Sequence, residues 1–196
     1  MPVLRLPSLP AANSKQAWGN LPGAALSLAI AEAATAAKRF TLLLTADSQS
    51  AERLEQELGF FAPELSVLHF PDWETLPYDQ FSPHQDIISQ RIASLYRLPE
   101  LSRGVLVVPI TTALHRLAPT RFLLGTSLVL DVGQKLNVEQ MRTRLESAGY
   151  RCVDTVYEHG EFAVRGALID LFPMGSELPY RIDLFDDEIE TLRTFD

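Results

Sequence analysis

Short apolar strand-like runs alternate with helical patterns over the first 120 residues, and this alternation constrains the fold more than any other feature. The strand-like runs are Phe40–Ala46, Ser66–Phe70 and Gly104–Pro109. Strands that alternate with helices are typical of a parallel sheet covered by helices. The sequence therefore predicts an α/β domain with a parallel sheet over residues 1–120.

The helical patterns of this domain lie at residues 23–38, at Ser48–Leu58, after Ser82 and at Thr111–Leu117. One of them carries a clear start signal. Ser82 suits the N-cap, Pro83 the first helical position and Gln85 the third, which together form a capping box. We therefore expect this helix to begin directly after Ser82.

The pattern changes after about Pro119, where closely spaced strand-like runs replace the alternation. Asn137 opens one helix. The runs after it are Arg151–Tyr157, Glu161–Arg165, Ala167–Phe172, Pro179–Phe185 and Glu188–Phe195. Turn residues separate these runs, as they do in antiparallel sheets. The sequence therefore predicts a smaller α+β domain with an antiparallel sheet over residues 121–196.

Composition and charge exclude several classes of protein. With 46% hydrophobic and 21% charged residues the chain can bury a core, but its net charge of −8 gives no basic surface for independent binding of duplex DNA. The histidines and the single Cys152 show no ligand spacing, so no metal site is expected. No signal peptide or membrane span is recognisable, so we expect a cytoplasmic protein with a protein partner.

The stretch "WGNLPGAA" leads into the first helical pattern and resembles the layout of a phosphate-binding loop. Such a loop needs a lysine and a serine or threonine directly after its last glycine. Here Ala24 and Ala25 follow Gly23, so neither the phosphates nor Mg²⁺ finds its side-chain partner. An ordinary helix start fits the same residues, and the loop alone does not separate it from the relic of an ATP site.

The segment Phe70–Tyr96 holds the carboxylates Asp72, Glu74 and Asp79. Paired carboxylates can act as general acid and base. No nucleophile or set of metal ligands accompanies them, and prolines and aromatic residues after a strand are more typical of a structured loop. We therefore predict no catalytic residue in this chain.

Alternation along the run Pro179–Phe185 separates a core face from an outer face. The core face is predicted to hold Tyr180, Ile182 and Leu184, and the outer face Arg181, Asp183 and Phe185. Arg165 on a neighbouring strand fits the same outer face. An exposed phenylalanine beside arginines has the composition of an interface hot spot. A salt-bridged solvent face with Phe185 tucked in at a bulge fits the alternation equally well.

Two long segments carry a resemblance to a known family. They are "FPDWETLPYDQFSPHQDIISQRIASLY" and "EHGEFAVRGALIDLFPMGSELPYRIDLFDDEIETLRTFD". Both closely resemble the N-terminal UvrB-homology region of the bacterial transcription-repair coupling factors, the Mfd family. The resemblance covers nearly the whole chain, and it extends more loosely to domains 1a and 2 of the excision-repair protein UvrB.

The resemblance implies a helicase-like first domain with a degenerate ATP site, in which Gly23, Ala24 and Ala25 form an inactive phosphate loop. It implies that the second domain binds UvrA. The family's binding positions match these residues of the chain: Arg165, Arg181 and Phe185. Since alternation places them on the outer face, alanine at Arg181 or Phe185 is expected to leave the fold intact.

The resemblance also implies a much larger parent protein, of which this chain is an N-terminal fragment. In the family, motor domains that use ATP and Mg²⁺ displace stalled RNA polymerase and bind DNA, and a C-terminal domain masks the UvrA-binding surface. Those domains are absent from these 196 residues. The fragment itself is expected to have no enzymatic activity and no cofactor.

Three functions are therefore weighed. The first is a module that recruits UvrA to lesions where RNA polymerase has stalled, and the second is a UvrB-type nucleotide- or DNA-handling domain of a helicase. The third is a structural spacer within a larger motor. The alanines after Gly23 favour the first function over the second, and affinity for UvrA separates the first from the third.

Overall fold

The computed structural model describes residues 8–11, 13–76, 78–125 and 128–196. The helices are α1 Ala25–Ala37, α2 Ser48–Phe61, α3 Gln85–Arg97, α4 Ile110–Ala113, α5 Thr120–Gly125 and α6 Val138–Ser147, with a 3-10 turn at Leu98–Glu100. The strands are β1 Phe40–Thr45, β2 Val67–His69, β3 Gly104–Pro109, β4 Arg151–Cys152, β5 Glu161–Arg165, β6 Leu168–Phe172, β7 Tyr180–Phe185 and β8 Glu188–Thr194. These elements form two compact units.

The first unit ends at Asp72 and resumes from Arg97 to Arg116. Its sheet is parallel, in the order β1-β3-β2, and α1 and α2 pack against it. Strand β3 is buried along its whole length because strands flank both of its edges. The core comprises Ile30, Ala31, Ala34, Ala51, Leu54, Leu58, Val105 and Val107. The parallel sheet predicted from the alternating pattern is confirmed.

Strand β1 differs from the fully buried strand that its apolar sequence indicates. Leu43 packs on the core, whereas Phe40, Leu42 and Leu44 on the other face are exposed. The reason is that β1 lies at an edge of the sheet and α1 and α2 pack on its Leu43 face. An apolar run alone does not tell whether one or both faces of a strand are covered.

The second unit comprises Trp73–Tyr96 and the residues from Leu117 to Asp196. Its five strands follow the order β4-β5-β6-β7-β8. Helix α6 begins where the sequence indicated, because the Asn137 side chain accepts a hydrogen bond from Gln140 N at 2.9 Å. The core consists of residues from α6 and the strands: Met141, Leu145, Phe162, Ile169, Leu171, Ile182, Leu184 and Ile189.

The second sheet is mixed, so the antiparallel sheet predicted for this region is wrong in one respect. Strands β5 to β8 pair antiparallel, but β4 runs parallel to β5. The run expected at Arg151–Tyr157 shortens to two residues, because the chain turns back before β5. The buried Glu161 side chain holds that turn by accepting hydrogen bonds from Tyr157 N at 2.9 Å and Glu158 N at 3.0 Å.

Helix α3 begins at Gln85, two residues later than the capping box at Ser82 predicts. His84 takes the place expected for Ser82. Its carbonyl oxygen accepts from Ile88 N at 3.2 Å, and its Nδ1 lies 3.3 Å from Asp86 N. The first turn thus starts from a histidine, which a motif based on hydroxyl side chains does not anticipate.

The contacts of α3 explain why Trp73–Tyr96 belongs to the second unit. Gly175 N donates to the buried Ser89 Oγ at 2.8 Å. His159 bridges Asp86 Oδ1 at 2.9 Å and the Ser176 carbonyl oxygen at 2.8 Å. The sequence placed this segment in the domain 1–120, so the observed units differ from those bounds here.

Candidate functional site

The outer face of β5–β8 is the candidate site, and strand register determines which side chains it presents. Ile182 and Leu184 are buried at 0% and 7% exposure, and both contribute to the core. Tyr180 is partly exposed. The opposite side includes these charged and aromatic side chains: Arg165, Asp170, Arg181, Asp183, Phe185 and Arg193. We call this set the outer face, and the predicted division of β7 into two faces is confirmed for Ile182, Leu184 and Phe185.

Asp170 lies at the centre of the outer face and binds both predicted arginines. Arg181 Nε donates to Asp170 Oδ1 at 2.7 Å, and Arg181 Nη2 donates to Oδ2 at 2.8 Å. Arg165 Nη2 donates to the same Oδ2. The structure therefore brings Arg165 and Arg181 together around one carboxylate that is only 2% exposed.

These hydrogen bonds control the charge state of the carboxyl group. The pKa of Asp170 is held below its usual range, first by the hydrogen bonds from Arg181 and further by Arg165, while burial acts in the opposite direction. Asp170 raises the pKa of Arg181 in return. Arg181 thus remains a cation beside an ionised carboxylate.

A second ion pair extends the outer face toward β8. Arg193 Nη2 lies 3.2 Å from Asp183 Oδ2, and Thr191 Oγ1 donates to the same oxygen at 2.5 Å. Arg193 is directly opposite Arg181 in the register. The Arg181 guanidinium also lies 4.9 Å from the centre of the Phe195 ring, within cation–π range.

Phe185 is 70% exposed, at the end of β7. The register shifts between Asp183 and Leu184, but the extra residue is Glu190 on β8, because Asp183 pairs with Thr191 and Leu184 with Ile189. Strand β7 therefore keeps its alternation through Phe185. Of the two interpretations left open by the sequence, the ion pairs of a salt-bridged face are present, but the phenylalanine is not tucked in.

Sequence reasoning missed Asp170 and Arg193 as members of this site. The signal for Asp170 was available, since "LIDLF" places one aspartate in an otherwise apolar strand. A lone carboxylate at such a position needs a partner, because an unpaired buried charge is costly. The pairing register that brings it opposite Arg181 was not readable from one sequence.

The opening loop has the backbone of a plain helix start. Gly23 has φ +55°, and Ala24 occupies the N-cap of α1 without a side-chain hydrogen bond. Leu28 N donates to the Ala24 carbonyl oxygen at 3.0 Å. Gly23, Ala24 and Ala25 thus offer only backbone groups at this end of the helix, and the helicase-like ATP site stays a prediction.

Asp72 and Asp79 in the segment 70–96 both accept hydrogen bonds from within the protein. Asp72 Oδ2 accepts from Thr111 Oγ1 at 2.8 Å, and Asp79 Oδ2 accepts from Leu76 N at 2.7 Å. Glu74 lies in a bend of the chain, with φ +56°. These bonds match the structured loop that the sequence indicated.

The described residues also bear on metal binding and on insertion into a membrane. Within the part of the chain that the structure describes, no cluster of three or more His, Cys, Asp or Glu side chains has the arrangement of a metal site. The helices of the described residues are too short or too polar to cross a bilayer.

Comparison with known proteins gives a consistent result. Residues 128–196 match the profile of the UvrB interaction domain. The transcription-repair-coupling factor of Escherichia coli (strain K12) is 54% identical over 185 residues, which cover 94% of this chain and 16% of that protein. That of Haemophilus influenzae is 48% identical over 184 residues, with the same coverages of 94% and 16%. That of Bacillus subtilis (strain 168) is 28% identical over 181 residues, or 92% of this chain and 15% of that protein.

The chain spans about a sixth of the length of the curated relatives it matches. The matched profile includes every strand of the sheet that carries the outer face, from β4 to β8. Over the 94% of its length that aligns with the first two of these relatives, the chain belongs to the transcription-repair-coupling factor family as its UvrB-homology region. Residues 128–196 of the chain match the UvrB interaction domain.

Proposed function

We propose that this chain is a recruitment module that binds the excision-repair protein UvrA through the outer face of β5–β8. The proposal rests on the 70% exposure of Phe185, on the same sheet face as Arg165 and Arg181, within a matched UvrB interaction domain. Aromatic and arginine side chains contribute a disproportionate share of the binding energy in protein interfaces. The outer face provides both kinds of side chain on one rigid sheet.

The three proposed contacts have different roles. Phe185 supplies a large apolar side chain, whose removal from water by a partner contributes favourable free energy to binding. Arg165 and Arg181 supply N–H donors that recognise carboxylates or carbonyl oxygens. Their positions are set by Asp170, so the partner meets side chains that are already ordered.

This function requires no chemistry from the chain itself. We propose that it is not an enzyme and holds no cofactor, because Ala24 and Ala25 stand where a phosphate loop needs a lysine and a hydroxyl. The same residues disfavour a UvrB-type nucleotide- or DNA-handling domain. The proposed location is the cytoplasm.

In a longer parent protein, the module would act beside domains that this chain does not contain. We propose that such domains use ATP and Mg²⁺ to translocate on DNA and displace stalled RNA polymerase. We further propose that a C-terminal domain masks the outer face until the polymerase is engaged. UvrA would then be recruited to the lesion by the exposed module.

The direct test is a titration of purified UvrA into the chain by calorimetry. The proposal predicts saturable binding, with a negative heat-capacity change from the burial of Phe185 and its surroundings. The test should include a chain in which Arg142→Ala removes an exposed arginine of α6 that pairs with Glu146. This control should bind like the parent, and the absence of saturable binding by the parent would refute the function.

A further inference from the structure

Asp170 stands out on the outer face because it is a buried acid among exposed side chains. It lies on β6 between Ala163 of β5 and Arg181 of β7 in the register. Its two oxygens accept three hydrogen bonds, all from arginines. A carboxylate this buried is not itself available to a partner, so any role in binding must act through Arg165 and Arg181.

The two arginines remain partly exposed although Asp170 holds them. The exposed fraction of the side chain is 50% for Arg165 and 30% for Arg181. Arg181 uses Nε and Nη2 toward Asp170, and a guanidinium carries further N–H donors on Nη1. The planar group therefore binds Asp170 by one edge and retains donors for a second acceptor.

Prior ordering of these side chains favours association. A free arginine loses rotamer entropy when a partner immobilises it, and an arginine that is already held loses less. The unused N–H donors of the arginines point to the kind of partner group, because they donate best to an ionised acceptor such as a carboxylate. The charges of the face itself balance, since Arg165, Arg181 and Arg193 share it with three carboxylates: Asp170, Asp183 and Glu188, which pairs with Phe185 in the register.

We propose that Asp170 is a positioning residue of the UvrA-binding face, which holds Arg165 and Arg181 so that their remaining N–H donors form a preformed site for an acidic group of UvrA. This inference rests on the proposed function, since it names the chemistry of the same face. It adds a residue that makes no contact with the partner and assigns the partner group a negative charge.

The first experiment compares Asp170→Asn with the parent in the UvrA titration. Asparagine has nearly the same shape but loses the charge that binds both guanidinium groups, so affinity should fall by roughly tenfold. Asp47→Asn is the control, because it makes the same change at the N-cap of α2 in the first unit, away from the outer face, where Asp47 Oδ1 accepts from Ser50 N at 2.7 Å and asparagine can accept the same bond. It should bind within about threefold of the parent.

A double-mutant cycle separates positioning from a general structural effect. If Asp170 acts through the arginines, Asp170→Asn should have little further effect in a chain that already carries Arg165→Ala and Arg181→Ala. An equal loss of affinity in both backgrounds would mean that the residue only supports the fold, and would overturn the proposal. A parent-like or higher affinity of the single variant would overturn it as well.

The unsubstituted chain gives a test that does not depend on a variant folding. The Arg181 Nε–H should exchange with water more slowly than that of the exposed Arg103, because Asp170 Oδ1 accepts it at 2.7 Å. Equally fast exchange, measured by nitrogen-15 NMR, would show that the arginine is not held and would refute the positioning role. A parent affinity that does not fall with added salt would refute the acidic partner group.

The proposed function can fail independently of this inference. If Phe185→Ala binds UvrA like the parent, the outer face is not the interface and both proposals fall. If Phe185→Ala weakens binding but Asp170→Asn does not, the face is correct and only the role of Asp170 is refuted.

Discussion

Arg181 binds Asp170 through two parallel hydrogen bonds, Nε to Oδ1 at 2.7 Å and Nη2 to Oδ2 at 2.8 Å, across neighbouring strands of the second sheet. The pair changes one expectation from the sequence. Removing Arg181 leaves a carboxylate that is 2% exposed with only Arg165 as its arginine partner. A buried carboxylate that loses one of its cationic partners is less well compensated, which is destabilising. We therefore expect Arg181→Ala to destabilise the second unit as well as weaken binding.

The first prediction concerns acid. The folded-state pKa of Asp170 is lowered, mainly by the hydrogen bonds from Arg181. A lowered pKa means that the ionised group stabilises the fold fully above its unfolded-state pKa of about 3.9, and that this stabilisation is lost as pH falls through the folded-state pKa. Asp170→Asn should therefore be less stable than the parent at pH 7, with the difference shrinking below about pH 4.

Urea unfolding followed by circular dichroism between pH 7 and pH 2.5 measures this difference. The other carboxylates with lowered pKa values, Asp47 and Asp187, are present in both chains and cancel in the comparison. A stability difference that stays constant across this range would show that the charge of Asp170 is not the stabilising factor.

The second prediction concerns two glycines with opposite surroundings. Gly104 opens β3 at φ +136°, and a Cβ there would lie 2.5 Å from the Ser66 carbonyl oxygen, which accepts from Val105 N. Gly104→Ala should destabilise the first unit by about 2 kcal/mol or more, because the backbone must move. Gly59 lies in α2 with no atom within 4 Å of an added Cβ.

Gly59→Ala is therefore the matched control. It should stabilise the chain by about 0.5–1 kcal/mol, since alanine loses less backbone entropy in a helix. Both variants can be compared with the parent by urea unfolding. Equal stabilities of the two alanine variants would contradict the close approach of Ser66 to β3.

The third prediction is that the chain does not bind ATP. Ala24 and Ala25 give the start of α1 no side chain for phosphate or Mg²⁺. Titration with a fluorescent ATP analogue in the presence of Mg²⁺ should give no saturable signal. Saturable binding at micromolar analogue, abolished by a bulky residue in place of Gly23, would indicate a working phosphate loop.

The periodicity of the sequence was sufficient to predict most of the helices and strands, because local patterns of apolar residues determine them. Strand β5 has the predicted bounds Glu161–Arg165, and Asn137 caps α6 as expected. The parallel pairing of β4 with β5 was not predictable from the sequence. It depends on the connection between the two strands, where the Glu161 side chain accepts hydrogen bonds from the backbone of the turn. The grouping of α3 with the second unit depends on contacts such as Ser89 to Gly175, which are distant in sequence.

The candidate site was predictable in its alternation but not in its pairing. Phe185 and Arg181 were placed on the outer face from the period-2 pattern alone. The partner of both arginines, Asp170, lies on another strand, and only the register of β6 with β5 and β7 brings it between them. A single sequence contains no information on that register beyond the pattern of buried residues.

The central claim is that UvrA binds the outer face, and Phe185 tests it most directly because its side chain is exposed and its removal should spare the core. Phe185→Ala should weaken UvrA binding roughly thirtyfold, the equivalent of about 2 kcal/mol for a hot-spot residue. Its melting temperature should stay close to that of the parent. Leu184→Ala, which truncates the buried neighbour, should instead destabilise the chain by about 2–5 kcal/mol.

The deciding measurement is thus a calorimetric titration of UvrA into the parent, Phe185→Ala and Arg142→Ala chains, each paired with a thermal melt. If UvrA binds the outer face, both variants should fold like the parent and only Phe185→Ala should lose affinity. Parent-like affinity of a folded Phe185→Ala chain would contradict the assignment of this face to UvrA.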